Sequence, residues 1–268
     1  MPHAVREHCN IFYEVTNGSD SSAERVLLIP GILSTQTVWG PVVRRLPGLQ
    51  VITMDNRDSG RSSLAEAQYS IRDLAKDALV VMDDAGLASS HIAGHSMGGA
   101  IAMEMALLAP DRVRSLTLVN SWAKTDGYSG SVMRMIATLR DRLTDDREFL
   151  RTNTFVINAP ALLRGTTLED VAESILLYGP IQCAAASQRN IAAILPHDIA
   201  DRLAAITCPT QIIWGTDDRI FPPWHARELL DGIAGARDIG IRGGGHMAIL
   251  QSADRVAAAI VEMAAKRE

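Results

Sequence analysis

The hexapeptide Gly94-His95-Ser96-Met97-Gly98-Gly99 carries the spacing G-x-S-x-G, a serine with a residue lacking a Cβ two positions away on each side. It follows a short apolar run ending at Ala93 and precedes an apolar stretch of helical spacing that begins at Met97. Strand, turn and helix in that order make a nucleophile elbow. In so tight a turn, side chains at positions 94 and 98 would collide with neighbouring backbone. Ser96 is then held in strained φ/ψ with its Oγ above the strand end. The helix start beside it offers free N–H groups and the positive end of a dipole, both of which favour developing negative charge.

A serine hydroxyl is a weak nucleophile; it needs a base, and the base needs an acid to orient it. Among the seven histidines, His246 stands in Gly243-Gly244-Gly245-His246-Met247, just past the last expected strand, where a glycine loop lets an imidazole lean over the sheet edge. His95 adjoins Ser96, but the elbow sends adjacent side chains in different directions, so it reads as packing. Asp217 and Asp218 follow the expected strand at 210–214, and chemistry alone does not choose between them. The chain order serine, aspartate, histidine suits acyl transfer by a Ser-His-Asp triad.

The scaffold must bring residues 96, 217–218 and 246 to one edge. Runs rich in β-branched and other apolar residues at 11–15, 25–29, 50–54, 91–93, 115–119, 210–214 and 238–241 predict strands. Several are apolar throughout, as strands covered on both faces are. Helical patterns at 38–46, 71–85, 97–108, 224–233 and 253–265 lie between or after them, and this alternation predicts an α/β class with a mostly parallel, doubly wound sheet. The alternation stops after Val119 and resumes at Thr210. Helical windows at 132–142, 145–154, 168–178 and 184–195 fill the gap, too long for an ordinary crossover. The division expected is a core of 1–124 and 191–268 with a helical cap at 125–190 inserted between two strands.

Composition narrows the partners. The 268 residues are 47% hydrophobic and carry 26 basic against 31 acidic side chains, a formal net charge of −5 with no basic surplus for phosphates. No apolar run approaches the roughly 20 residues of a membrane-spanning helix. The start, MPHAVREHCNIFYEV, lacks the apolar region of a signal peptide. Three scattered cysteines, Cys9, Cys183 and Cys208, build neither a disulfide framework nor a metal cluster. A cytoplasmic protein is expected, with a small-molecule substrate, no nucleic acid, no membrane and no metal, as monomer or homodimer. Gly243-x-Gly245-x-x-Ala248 mimics a dinucleotide fingerprint, but the twenty residues after it cannot build the further strand that such a site needs. Neither a phosphate-binding G-x-x-x-x-G-K-[ST] nor an H-E-x-x-H zinc motif occurs.

Taken together, Pro30-Gly31-Ile32, the segment Asp55-Asn56-Arg57-Asp58-Ser59-Gly60-Arg61-Ser62, the Ser96 elbow, Gly215-Thr216-Asp217-Asp218 with Pro222, and the Gly-Gly-His turn resemble the α/β-hydrolase superfamily over almost the whole chain. The resemblance implies the α/β-hydrolase fold and selects Asp218, three residues after the glycine and four before the proline, as the triad acid. It also implies an oxyanion hole from the amides of Met97 and Ile32, with Leu33 as the alternative to Ile32. No cofactor is implied. Most relatives have histidine where Pro30 stands, and many have glycine where Asp58 stands. For Asp58 we expect a local pairing with Arg57 or a loop-capping role. Asn120 and Ser121 occupy a strand end where some members place their acid, and neither can serve as one.

The insertion and Val119-Asn120-Ser121-Trp122 most resemble 3-oxoadipate enol-lactonases, aminoacrylate hydrolases and carboxylesterases, which implies a serine esterase or lactonase. Ring-cleavage hydrolases, which split a C–C bond in a vinylogous diketone, have similar acid and histidine motifs. The stretch from Pro30 to Trp39 also resembles hydrolase-like ligand-sensing signalling proteins. Expected substrate contacts are Leu33, Trp39, Trp122, Met133 and Met247, with Met135, Ile136, Phe155 and Leu162 as further wall candidates. The arginines of the insertion, Arg134, Arg140, Arg142, Arg147, Arg151 and Arg164, read as a solvated face.

Overall fold

A computed structural model of the chain describes residues 2–16, 23–179 and 181–265. Its strands are β1 (His3–Arg6), β2 (Cys9–Thr16), β3 (Arg25–Ile29), β4 (Gln50–Met54), β5 (Ser90–His95), β6 (Val113–Val119), β7 (Thr210–Gly215) and β8 (Arg237–Ile241). They form one sheet in the order β1-β2-β4-β3-β5-β6-β7-β8. The β1–β2 and β2–β4 pairs are antiparallel, and the other pairs are parallel. Side-chain alternation explains the apolar strands. Leu27 and Ile29 of β3 enter one core cluster, Val26 and Leu28 the other, so both faces are buried.

The helices that cover these faces outside the insertion are α1 (Gly40–Val43), α2 (Ile71–Asp84), α3 (Met97–Leu108), and, after the insertion, α9 (Pro223–Gly232), α10 (Ala248–Gln251) and α11 (Ala253–Ala265). Ser70 starts α2 with a reciprocal capping box to Asp73, and the helix buries Ile71, Leu74, Ala78, Val81 and Met82 along one stripe. The helical pattern at 38–46 is realised as a 3-10 turn at Gln36–Trp39 followed by the single turn α1. Pro41 and Gly40 at its start allow little more. The edge strand β1 was not expected; only Ala4 of its four residues is buried, so no alternation marks it.

Between β6 and β7 lie α4 (Gly127–Arg142), α5 (Asp146–Ile157), α6 (Pro160–Leu163), α7 (Leu168–Leu176) and α8 (Ala184–Ile194). The legs of this insertion meet, with Thr125 N donating to His197 O (3.0 Å) and Ile199 N to Ala123 O (3.0 Å), and α8 carries the chain past residue 190 before the return. Arg189 of α8 makes a two-pronged pair with Asp58, 2.9 and 2.6 Å, and Tyr69 Oη donates to the same carboxylate. Asp58 therefore ties the insertion to the core. It also caps its loop by accepting from Ala65 N (2.8 Å), but it does not pair with Arg57, whose guanidinium binds Asp77 at 2.6 Å through two nitrogens. Arg140 is not on a solvated face: it is buried and donates to Gln182 O and to Asp146. Among the described residues no helix is long and apolar enough to cross a membrane.

Candidate active site

The parallel strands end together. Ile29 pairs with Gly94 across β3–β5, His95 with Val119 across β5–β6, and Gly215 with Ile241 across β7–β8. The loops bearing residues 30–33, 96, 120, 218 and 246 consequently leave the sheet at one edge. Ser96 has φ 55° and ψ −121° as the residue before α3, a conformation that L residues rarely adopt. The glycines explain how it is reached: a Cβ on Gly94 would lie 2.1 Å from Gly98 O, and one on Gly98 would lie 2.1 Å from Ile29 O. Met97 opens α3, so its N–H has no acceptor within the helix. Gly31 is pressed against the serine, since a Cβ there would be 3.0 Å from Ser96 Cβ. This brings the 31–33 turn, with Leu33 at φ 60°, beside the elbow. The Leu33 amide is already engaged by Gln182 Oε1 (2.8 Å) and is not free to serve as an oxyanion donor.

Asp218 is buried and accepts from His246 Nδ1 at 2.9 Å. With the carboxylate accepting, Nδ1 carries the hydrogen and Nε2 keeps its lone pair. Three further donors hold the carboxylate: Ile220 N (2.8 Å) and Phe221 N (3.1 Å) on Oδ1, and Asn120 Nδ2 (2.8 Å) on Oδ2. Asn120 is a residue whose role sequence reasoning missed. It carries no carboxylate, but from the end of β6 at φ 49° it braces the Asp218 carboxylate that follows β7. Asp217 is half-buried, and among the described residues it accepts only from Thr216 Oγ1 (3.1 Å) and has no bond to His246.

His95 holds His246 from the other side, its Nε2 2.9 Å from the His246 carbonyl oxygen. Burial, with the neighbouring His246 adding to it, pushes the His95 pKa down to about 3, so the ring is neutral. Burial likewise lowers His197 to about 4, and lowers His91 and His225. In an unfolded chain such imidazoles titrate near 6.5. Below that pH the unfolded chain takes up protons that the folded one refuses, so stability falls as pH drops from about 6.5 towards 4. A melting series from pH 7.5 to 4.5 should show this decline. For His197→Gln the slope should be shallower by about 1.4 kcal/mol per pH unit at most; an unchanged slope would contradict the assignment.

Ser96 and His246 line one cavity between the sheet edge and the insertion, together with Ile32, Leu33, Met133, Ile136, Phe149, Leu150, Ile157, Ile181 and Met247 among others. Its lining is thus largely aliphatic. Leu33, Met133, Ile136 and Met247 stand in this lining. Trp39 and Trp122 do not. Trp39 is fully buried in the core beneath the sheet with Val38 and Val42. Trp122 is spent on support, stacked on Phe221 at 4.1 Å, and Phe221 in turn tilts against the His246 ring. Met135, Phe155 and Leu162 point to solvent. Among the described residues no cluster of His, Cys, Asp and Glu is arranged to hold a metal ion.

Residues 24–253 match the profile of the α/β-hydrolase fold. The chain belongs to the α/β-hydrolase fold family. Among similar sequences, a protein of Azorhizobium caulinodans with the provisional name carbamate hydrolase RutD is 30% identical over 250 residues, 92% of this chain and 91% of that protein. A protein of Variovorax paradoxus with the same name is 31% identical over 240 residues, 88% and 89% of the two chains. Among solved structures, the enol-lactonase of Burkholderia xenovorans superposes with a TM-score of 0.88 at 24% identity, covering 99% of this chain and all of that one. An α/β hydrolase from a Medee basin deep-sea metagenome gives 0.88 at 19%, covering 98% and 97%. These structural likenesses concern the fold. In this α/β hydrolase the eight-stranded sheet sets the loops of Ser96, Asp218 and His246 at one edge.

Proposed function

We propose that this α/β hydrolase cleaves the carboxylic ester or lactone bond of a small uncharged molecule through an acyl-enzyme on Ser96. The observation that carries the reading is the hydrogen bond from His246 Nδ1 to Asp218, with His246 and Ser96 lining the same apolar cavity. His246 Nε2 takes the Ser96 proton as Oγ bonds to the carbonyl carbon, and the carbonyl oxygen becomes an oxyanion held by the amides of Met97 and Ile32. As the intermediate collapses, the histidine returns that proton to the departing alkoxide. Water then gives its proton to Nε2 and adds to the acyl carbon. The second collapse restores the Ser96 hydroxyl and releases the acid. Every proton is accounted for without a cofactor. The insertion serves as the cap that covers the serine and shapes the acyl pocket.

The sequence relatives are named for a carbamate. The lining here is largely aliphatic and includes no lysine or arginine among the described residues, which favours an uncharged substrate. A panel of p-nitrophenyl esters, lactones and dienoates tests the reading. Multiple turnovers with esters or lactones are expected. Turnover of dienoates alone would replace the reading with C–C hydrolysis. A single turnover coupled to ligand-dependent association with another protein would replace it with ligand sensing.

A further inference from the structure

Helix α5 turns one face to the cavity, and Phe149, Leu150, Asn153 and Ile157 line it at the spacing of successive turns. Three of the four are apolar. Asn153 is 3% exposed, and its Oδ1 has no hydrogen-bond partner among the described residues. The next asparagine on this segment behaves differently: Asn158 gives its Nδ2 to Thr154 O (3.1 Å) and receives Gln251 Nε2 (2.5 Å). Two hydroxyls on the cavity wall are also engaged within the protein, Ser34 Oγ with Gly31 O and Thr35 Oγ1 with Tyr178 O. A buried carboxamide without a partner forfeits the bonds it would make in water, and such a group in a folded protein calls for an explanation.

Its position supplies one. The Ile157 carbonyl accepts His246 N (3.1 Å), so Ile157 marks the histidine on this helix. Asn153 precedes it by one turn, about 6 Å along the axis. A carboxamide at that distance can meet a neutral polar group carried some way along the acyl arm, by donating or by accepting. It brings no counter-charge for a carboxylate, and neither do the aliphatic groups around it.

We propose that Asn153 is a specificity-determining residue that recognises a neutral keto, hydroxyl or amide group on the acyl arm of the substrate. The preferred substrates are then oxygen- or amide-substituted acyl esters or lactones, ahead of both plain alkyl esters and acids with a charged end. This rests on the reading of Ser96, His246 and Asp218 given above. The test compares p-nitrophenyl hexanoate, p-nitrophenyl 5-oxohexanoate and the mono-p-nitrophenyl ester of glutaric acid, each kcat/KM divided by the hydroxide rate of that ester. In the wild type the oxo ester should exceed the hexanoate about five- to ten-fold, the worth of one hydrogen bond, with the charged ester the poorest of the three. In Asn153→Leu and Asn153→Ala the ratio of oxo ester to hexanoate should fall to about one. A wild-type ratio of one or less overturns the proposal, as does a preference that survives in either variant or a charged ester that ranks first. Labelling by a fluorophosphonate separates the two levels. Loss of labelling at Ser96 in the wild type would overturn the mechanism itself, whereas a labelled enzyme without the preference overturns the role of Asn153 alone.

Discussion

Replacing Ser96 with alanine should lower kcat for a p-nitrophenyl ester by at least about 10⁴-fold, while the melting temperature stays within a few degrees of the wild type. The size follows from the role: without Oγ there is no covalent intermediate, and only binding and the oxyanion donors remain to assist water. The tolerance of the fold follows from the surroundings. The strained backbone at φ 55° is imposed by the close approach of Gly94 and Gly98 to their neighbours, and removal of one oxygen does not change it. The Ser96 backbone bonds, N to Val119 O and O from Ser121 Oγ, also survive the change. Steady-state kinetics with a melting curve on the same sample checks both halves. Activity within ten-fold of the wild type would remove Ser96 from the chemistry.

Asp218→Asn has the second largest expected effect, about 10⁴-fold in kcat. The carboxylate accepts from four groups, and an amide can accept on one atom only. Three of those donors are fixed by the turn after β7 and by Asn120, so the amide nitrogen must oppose a donor whichever way it is placed. If it faces His246, the hydrogen moves to Nε2 and the base is lost. If it faces the amides of Ile220 and Phe221, the turn that carries the acid is destabilised, by about 1–3 kcal/mol. Asp217→Asn, next door but half-buried and without a bond to His246, should stay within two-fold of the wild type. Equal losses at 217 and 218 in parallel assays would contradict the assignment of the acid.

The sheet could be read from the chain because burial on two faces makes the central strands apolar throughout, and that signal is local. The elbow was legible because its spacing is local and Gly94 is demanded by Gly98 four residues on, although Gly98 itself answers to Ile29 on a neighbouring strand. Long-range pairing left no such trace. Nothing near Asp58 tells that its partner is Arg189, 131 residues on, or that Arg57 turns to Asp77. Trp122 and Trp39 were expected at the substrate, but a large ring can equally brace a site residue from behind, as Trp122 braces His246 through Phe221. Asn120 was set aside because an amide cannot be the acid; its value as a donor to Asp218 depends on β6 and β7 lying side by side. Asn153 looked like any polar position in a helical window, and only the cavity shows that it faces inward.

Trapping of the covalent intermediate decides whether Ser96 is acylated during turnover. Enzyme mixed with a p-nitrophenyl ester and quenched in acid within milliseconds should gain the mass of one acyl group, and peptide mapping should place it on Ser96. Turnover without any acylated protein at any quench time, or an acyl group on a different residue, would contradict the account.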